Sequence, residues 1–304
     1  MTKEASGTVL SPRDEDLLRW LDRTPLTTAQ VLRASETFAG EPFRDERRVR
    51  ERLQALAIAG LVRSWPLSLS GGGGTNYYKL TPEGYRVLHG PEAPLPHHRE
   101  FDAIRLARLL HTQTLAEVIV HAFVAAHHHR VYVRRFHKEN ALTLTAGPHE
   151  QRPDCAFQFE TGGRTFNILF EIDNSTEPVD AAAHQSIRQK VVGYEAYQDA
   201  VWQMWRTQGG RGRRPNFRVA FLTRTIDRAH HILALAGKQA RNRERRLCYA
   251  ATQDSFLAEA DALRQPVFLD HAGEWQALGN IHPTAPFLRT AVRLSSYVAP
   301  VLPI

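Results

Sequence analysis

The run Gln151-Arg152-Pro153-Asp154-Cys155-Ala156-Phe157, followed by Ile168-Leu169-Phe170-Glu171-Ile172-Asp173, decides how this chain folds. Each half reads as a β-strand that places a carboxylate beside an apolar run. Side chains alternate along a strand, so Glu171 and Asp173 share one face while Phe170 and Ile172 take the other. Thr161-Gly162-Gly163 supplies a turn, and pairing through it brings Asp154 to the same side as the other two acids. Three carboxylates so crowded demand a cation, a proton or a basic partner.

Outward from that pair, the strands expected are 131–136, 141–145, 153–159 and 165–172, after a helix over 99–128. A long helix then covers 180–205, with strands at 217–222, 246–251 and 266–269 alternating with helices at 227–241 and 255–263. Mixed strands followed by strand–helix alternation predict an α/β sandwich around a mixed central sheet. The segment from 281 to 304 has no assigned structure. Gly90-Pro91-Glu92-Ala93-Pro94-Leu95-Pro96 reads as a stiff linker. The expected organisation is therefore a first domain over 10–90, a linker over 91–98 and an α/β domain over 99–280.

The first domain has its own pattern. Ser11-Pro12 opens a helix by N-cap chemistry, and Thr27 or Thr28 caps a second one running to Phe38. In a third helix, from about Asp45 to Ala59, Val49, Leu53, Leu56 and Gly60 fall on one side. A strand at 61–65, a Gly71–Gly74 tip, a strand at 77–80 and a short helix opened by Thr81-Pro82 complete it. This order predicts a winged helix-turn-helix, and Arg52 to Leu56, Gly60 to Val62 and Tyr78 to Gly84 resemble bacterial transcription regulators of that type. Arg44, Arg47, Arg48 and Gln54 lie away from the apolar stripe, where a recognition helix meets the major groove. Arginine reads guanine and glutamine reads adenine by paired hydrogen bonds. Asn76, beside the glycine tip, joins these as a candidate DNA contact. The reading kept beside this one is a winged helix that docks protein.

Composition sets bounds. The 304 residues are 42% hydrophobic and 23% charged, ordinary for a globular protein of about two domains. A net charge of +7 favours an acidic partner, most simply double-stranded DNA. From Arg206 to Arg246 the chain is strongly basic, with Asp227 and Glu244 as its acids, and Arg211, Arg213 and Arg214 are candidate phosphate contacts. Cys155 and Cys248 are too few for a disulfide framework or a zinc ribbon, so a reducing, cytoplasmic setting is expected. The start of the chain lacks the apolar core of a signal peptide or anchor. No membrane-spanning run is expected either, because Glu117 and His121 interrupt Leu115–Ala126. The four glycines lack the Gly-Lys-Ser/Thr of a phosphate loop. His127-His128-His129 point in different directions, and their charge at a helix C-terminus explains them better than a shared metal ion. His111 is different: on a helix of the α/β domain beside Leu109 and Leu110, it reads first as a core histidine and second as a functional one.

The acidic strands resemble the PD-(D/E)xK nuclease-like fold, whose acids hold Mg²⁺ while a lysine offsets phosphate charge. Asp154 and Glu171 match the acids, and Asp173 stands where the lysine belongs. Lys190, on the following helix, is a candidate relocated lysine. With both halves in view, residues 10–275 resemble the replication-relaxation family. The resemblance rests on the winged helix, Leu110-His111-Thr112, Arg152-Pro153-Asp154, Phe170 to Glu177, Lys190 and Tyr194. It implies a role in replication and relaxation of plasmids and other mobile DNA. Because Asp173 cannot do a lysine's work, the reading taken is a DNA-binding protein of such replication, or of transcriptional control there, whose nuclease-like site is degenerate. The alternatives are an Mg²⁺-dependent endonuclease or nickase with Asp154, Glu171 and Asp173 as ligands and Lys190 in catalysis, and a protein-interaction scaffold. Expected partners are DNA, a second copy of the chain, and replication or relaxosome proteins, with no membrane.

Overall fold

The computed structural model describes residues 4–5, 8–67, 74–175, 178–179, 186–211, 215–242, 245–280 and 293–294. Most of the expected glycine tip, at 71–73, and the expected start of the long helix, at 180–185, lie outside the described residues. The protein is an α+β structure with a mixed sheet, and it divides into two compact units, residues 1–124 and 125–304.

In the first unit, helix α1 (Pro12–Arg23) begins with a capping box: Ser11 Oγ accepts from the Asp14 amide, and the Asp14 carboxylate accepts from the Ser11 amide at 2.8 Å. Strand β1 (Leu26–Thr27) leads into helix α2 (Thr28–Ala34), whose N-cap Thr27 forms a second capping box with Gln30. A 3₁₀ turn over Ser35–Thr37 completes the expected second helix. Helix α3 (Glu46–Ile58) starts at an Asp45 cap and buries Val49, Leu53 and Leu56 completely. Gly60 is not part of that stripe. It is exposed at φ 73°, and the bonds Gly60 N–H to Ala57 O and Leu61 N–H to Leu56 O close the helix as a Schellman motif. Strands β2 (Val62–Pro66) and β3 (Asn76–Leu80) pair antiparallel, and β1 adds to β3 to make a three-stranded sheet in the order β1-β3-β2. Thr81 caps helix α4 (Pro82–His89).

The chain does not leave this unit at its proline-rich segment. The buried Lys79 ammonium donates to the carbonyls of Arg99 and Asp102, at 3.1 and 2.6 Å, and the Ile104 amide donates to the Tyr77 hydroxyl at 2.8 Å. Helix α5 (Leu106–His128) then starts later than the apolar spacing predicts, because His98–Glu100 forms a separate 3₁₀ turn. Glu117 of α5 accepts from Gln30 Nε2 at 2.8 Å and pairs with Arg33 at 2.7 Å, and the Phe123 ring packs edge-on against Trp20. These contacts with α1 and α2 keep the first part of α5 in the first unit, so the division falls inside the helix rather than at residues 91–98. By length and mean hydropathy α5 would suffice to cross a membrane, contrary to the sequence reading, although 67% of its most apolar window is buried in the protein. That share of burial is what a core helix of a folded protein shows.

The second unit is built on a seven-stranded sheet. Its strands are β4 (Tyr132–His137), β5 (Cys155–Thr161), β6 (Arg164–Asp173), β7 (Arg218–Thr223), β8 (Cys248–Thr252), β9 (Phe268–Asp270) and β10 (Trp275–Gln276), in the order β10-β9-β8-β7-β6-β5-β4. The central β6, β7 and β8 run parallel, and the remaining neighbours are antiparallel. Gly162 and Gly163, at φ 54° and 69°, form the two-residue turn between β5 and β6 that sets Thr161 opposite Arg164. Helices α6 (Ile187–Thr207) and α7 (Ile226–Gln239) cover one face, where Val191, Tyr194, Tyr197, Ile232 and Leu233 pack on Ala156, Leu169, Val219, Phe221 and Ala250. On the other face, Phe157 and Phe170 stack edge to face, and Phe256 of helix α8 (Gln253–Ala258) bridges Phe170 to Phe268. Helix α8 is shorter than the expected 255–263. The strand expected at 141–145 is reduced to Leu144–Ala146, which pairs with His149–Gln151 and with Arg293–Leu294 from the tail, where the sequence shows no pattern.

Candidate functional site

The alternation along β6 puts Leu169, Glu171 and Asp173 toward α6 and α7, at the carboxyl end of the parallel strands. That end is where α/β sheets generally hold their ligands. Cys155 pairs with Phe170, so Asp154, the residue just ahead of the neighbouring strand β5, stands beside Glu171. Its amide donates to Phe170 O at 3.1 Å, and its carboxylate accepts from the Ile172 amide at 2.7 Å. Asp154 thus lies just before β5 rather than within it.

Glu171 and Asp173 each have a cationic partner. Glu171 is 2% exposed, and its carboxylate takes Lys190 Nζ at 2.9 Å and the Tyr194 hydroxyl, both from α6. Burial is the largest influence on Glu171, and Asp154 adds to it. Together they outweigh Lys190 and Tyr194 and push the pKa up to about 7. Asp173 is gripped by Arg228 from the first turn of α7, with Nε at 2.6 Å and a second guanidinium nitrogen at 3.0 Å, and it also accepts from the Ser175 amide at 3.1 Å. The sequence alone offers no signal for this arginine, because Arg228 lies 55 residues further on and in another helix. This donor set does not fit an Mg²⁺ ion held by Asp154, Glu171 and Asp173. Both oxygens of Asp173 bind a cation, and both oxygens of Glu171 bind an ammonium and a hydroxyl. What the cluster does carry is a buried carboxyl, an ammonium and a phenol in hydrogen-bonded sequence, a unit able to hold or release one proton near neutral pH.

The candidates of the first unit lie on its surface. Arg47, Arg48 and Gln54 are exposed on α3, opposite the buried stripe. Arg44 is exposed too, but it precedes the Asp45 cap and so is not on the helix. Asn76 is exposed at the first position of β3. Glu51, absent from the candidates read from sequence, accepts from Arg47 Nε at 2.9 Å and from Arg48 Nη1 at 3.0 Å. The i+4 and i+3 spacings are the signal that could have found it.

The basic stretch loses much of its asymmetry in space. Arg245 is buried against Glu195 and Asp199 and lies over the Trp202 ring, Arg246 pairs with Asp270 and Glu274, and Arg241 reaches Asp199. The acids come from α6 and from the β9–β10 hairpin, so a linear window cannot show them. Arg211 is exposed, whereas Arg213 and Arg214 lie outside the described residues. His127 and His128 are exposed in the last turn of α5, where a positive charge suits the helix end.

An α+β chain with helices on both faces of a mixed sheet, and buried acids at its carboxyl end, is the class these features define. A family model described as replication-relaxation matches residues 18–212, and the chain belongs to that family. The match spans the first unit and the second as far as α6, including Asp154, Glu171, Lys190 and Tyr194. Comparison with curated proteins and with solved structures gives no match.

Proposed function

We propose that this chain is a DNA-binding protein acting in replication or relaxation of a plasmid or other mobile DNA, or in transcriptional control of such an element. In this reading α1 to α3 and the β2–β3 hairpin are a winged helix-turn-helix, and α3 enters the major groove. The observation that carries it is the display of Arg47, Arg48 and Gln54 on the outer face of α3, with Asn76 at the loop end of the hairpin and Arg44 beside the helix start. Family membership supports the same direction. A second copy of the chain is the natural partner, since paired half-sites match a two-fold protein. The Arg47→Ala/Arg48→Ala double variant should weaken binding by about 1–3 kcal/mol for each arginine that reads a base, with an unchanged melt. Gel-shift titrations at fixed salt read this, and unaltered affinity would remove α3 from the interface.

The second unit is read as a PD-(D/E)xK-like fold that has lost catalysis and is kept for binding or assembly. Asp173 where the motif needs a lysine, and its engagement by Arg228, favour that view. One observation favours the rival reading of a nickase: Lys190 Nζ lies 2.9 Å from Glu171, on the acid side of the cluster, where a relocated lysine would act.

A further inference from the structure

The exposed face of α3 carries an acid that touches both of its candidate reading arginines. Glu51 Oε1 accepts from Arg47 Nε and Oε2 from Arg48 Nη1, at 2.9 and 3.0 Å, so a single carboxylate spans two guanidinium groups. An arginine has five N–H donors. With Nε–H taken by Glu51, the two terminal nitrogens of Arg47 remain as a free fork, the pair able to span O6 and N7 of a guanine. Arg47 and Arg48 side chains are 79% and 67% exposed, so without Glu51 they would sample many rotamers before meeting a base. Hydrogen bonding to Arg47 and Arg48 also holds the Glu51 carboxyl below its ordinary pKa, so the charge is present at neutral pH.

That charge has a second effect. A helix approaching DNA brings Glu51 between phosphate strands, and an anion there is repelled at every sequence alike. The repulsion is relieved where Glu51 stays paired with an arginine already engaged on its base, or where it accepts from a cytosine amine. We infer that Glu51 is a specificity-determining positioning residue: it aims Arg47 at a guanine and opposes sequence-independent binding. This deepens the DNA-binding reading and rests on it. An exposed pair of this kind adds little to helix stability, so variants at this position should fold normally.

The experiment uses the full chain. A random duplex pool is selected with the wild-type protein to define its preferred sequence. Affinities of wild type, Glu51→Ala and Glu51→Gln are then measured on that duplex and on an unrelated one across a salt series. For Glu51→Ala, affinity for the unrelated duplex should rise with a salt slope steeper by about one unit. Its preference for the selected duplex should fall about tenfold, with relaxed choice at one guanine. Glu51→Gln should share the slope change yet keep more of the guanine preference, because its amide oxygen can still accept from Arg47. Identical slope and preference in Glu51→Ala would overturn the role of Glu51 while leaving the DNA reading intact. A wild-type protein that shifts neither duplex would overturn both.

Discussion

Glu171 is a carboxyl whose burial costs more than its ammonium neighbour returns. Its pKa moves from 4.5 to about 7, so between those values the folded chain keeps a proton that the unfolded chain has released. The sign follows from linkage: stability associated with this group is fully present below pH 4.5 and is lost as pH rises through about 7. The loss is on the order of 3 kcal/mol. Denaturant titrations of wild type and of Glu171→Gln at pH 5 and pH 8 should show a fall in stability for the wild type that is much smaller in the variant. The opposite trend, a wild type that gains stability over that range, would mean that Lys190 dominates. At this scale the sequence is informative about proximity but silent about partners. Strand periodicity fixes which acids share a face, whereas Arg228 comes to Asp173 from the first turn of a helix that begins after the next strand. No pattern within a strand encodes that meeting.

Elements are held in this protein by charges placed at their ends. Asp14, the acid of the α1 capping box, is fully buried and is also gripped by Arg52 of α3 through both carboxylate oxygens. Burial would raise its pKa, yet Arg52 and Ser11 outweigh burial and hold it below the ordinary value. The stability it contributes is therefore present above the unfolded pKa and lost as pH falls through the lower folded one. Arg52→Ala should cost about 3 kcal/mol, because it leaves a buried charge without its cation. Asp14→Ala/Arg52→Ala should recover part of that loss in the same thermal melts, and a double variant as unstable as the sum of its parts would contradict the pairing. Helix starts are legible here because Ser11, Thr27 and Thr81 are caps whose chemistry is local. The start of α5 and the end of α8 are not: His98–Glu100 forms a separate 3₁₀ turn ahead of α5, and apolar residues continue past Ala258, where the helix ends. The arginines after Arg206 look unbalanced for the same reason: their acids are distant in sequence.

For the whole molecule, the question is whether binding and cutting coexist. A nuclease needs a positive group near the scissile phosphate and acids free to organise a metal, and here Asp173 is committed to Arg228. Supercoiled plasmid incubated with the purified protein and Mg²⁺ or Mn²⁺ should remain supercoiled. Nicking that vanished in each of Asp154→Ala, Glu171→Ala and Lys190→Ala would establish the relocated-lysine mechanism instead.

The turn at Gly162 and Gly163 has a reach well beyond its own two residues. By admitting only two residues at positive φ, it clamps the phase between β5 and β6, and that phase alone decides that Asp154 meets Glu171 rather than Phe170 or Ile172. Were β6 to slide by a single step, the carboxylates of Glu171 and Asp173 would point into the phenylalanine layer, and Phe170 would face Lys190. The pairing of acids at one end of the hairpin is thus metered by glycines at the other, as the teeth of a rack are set by its first notch.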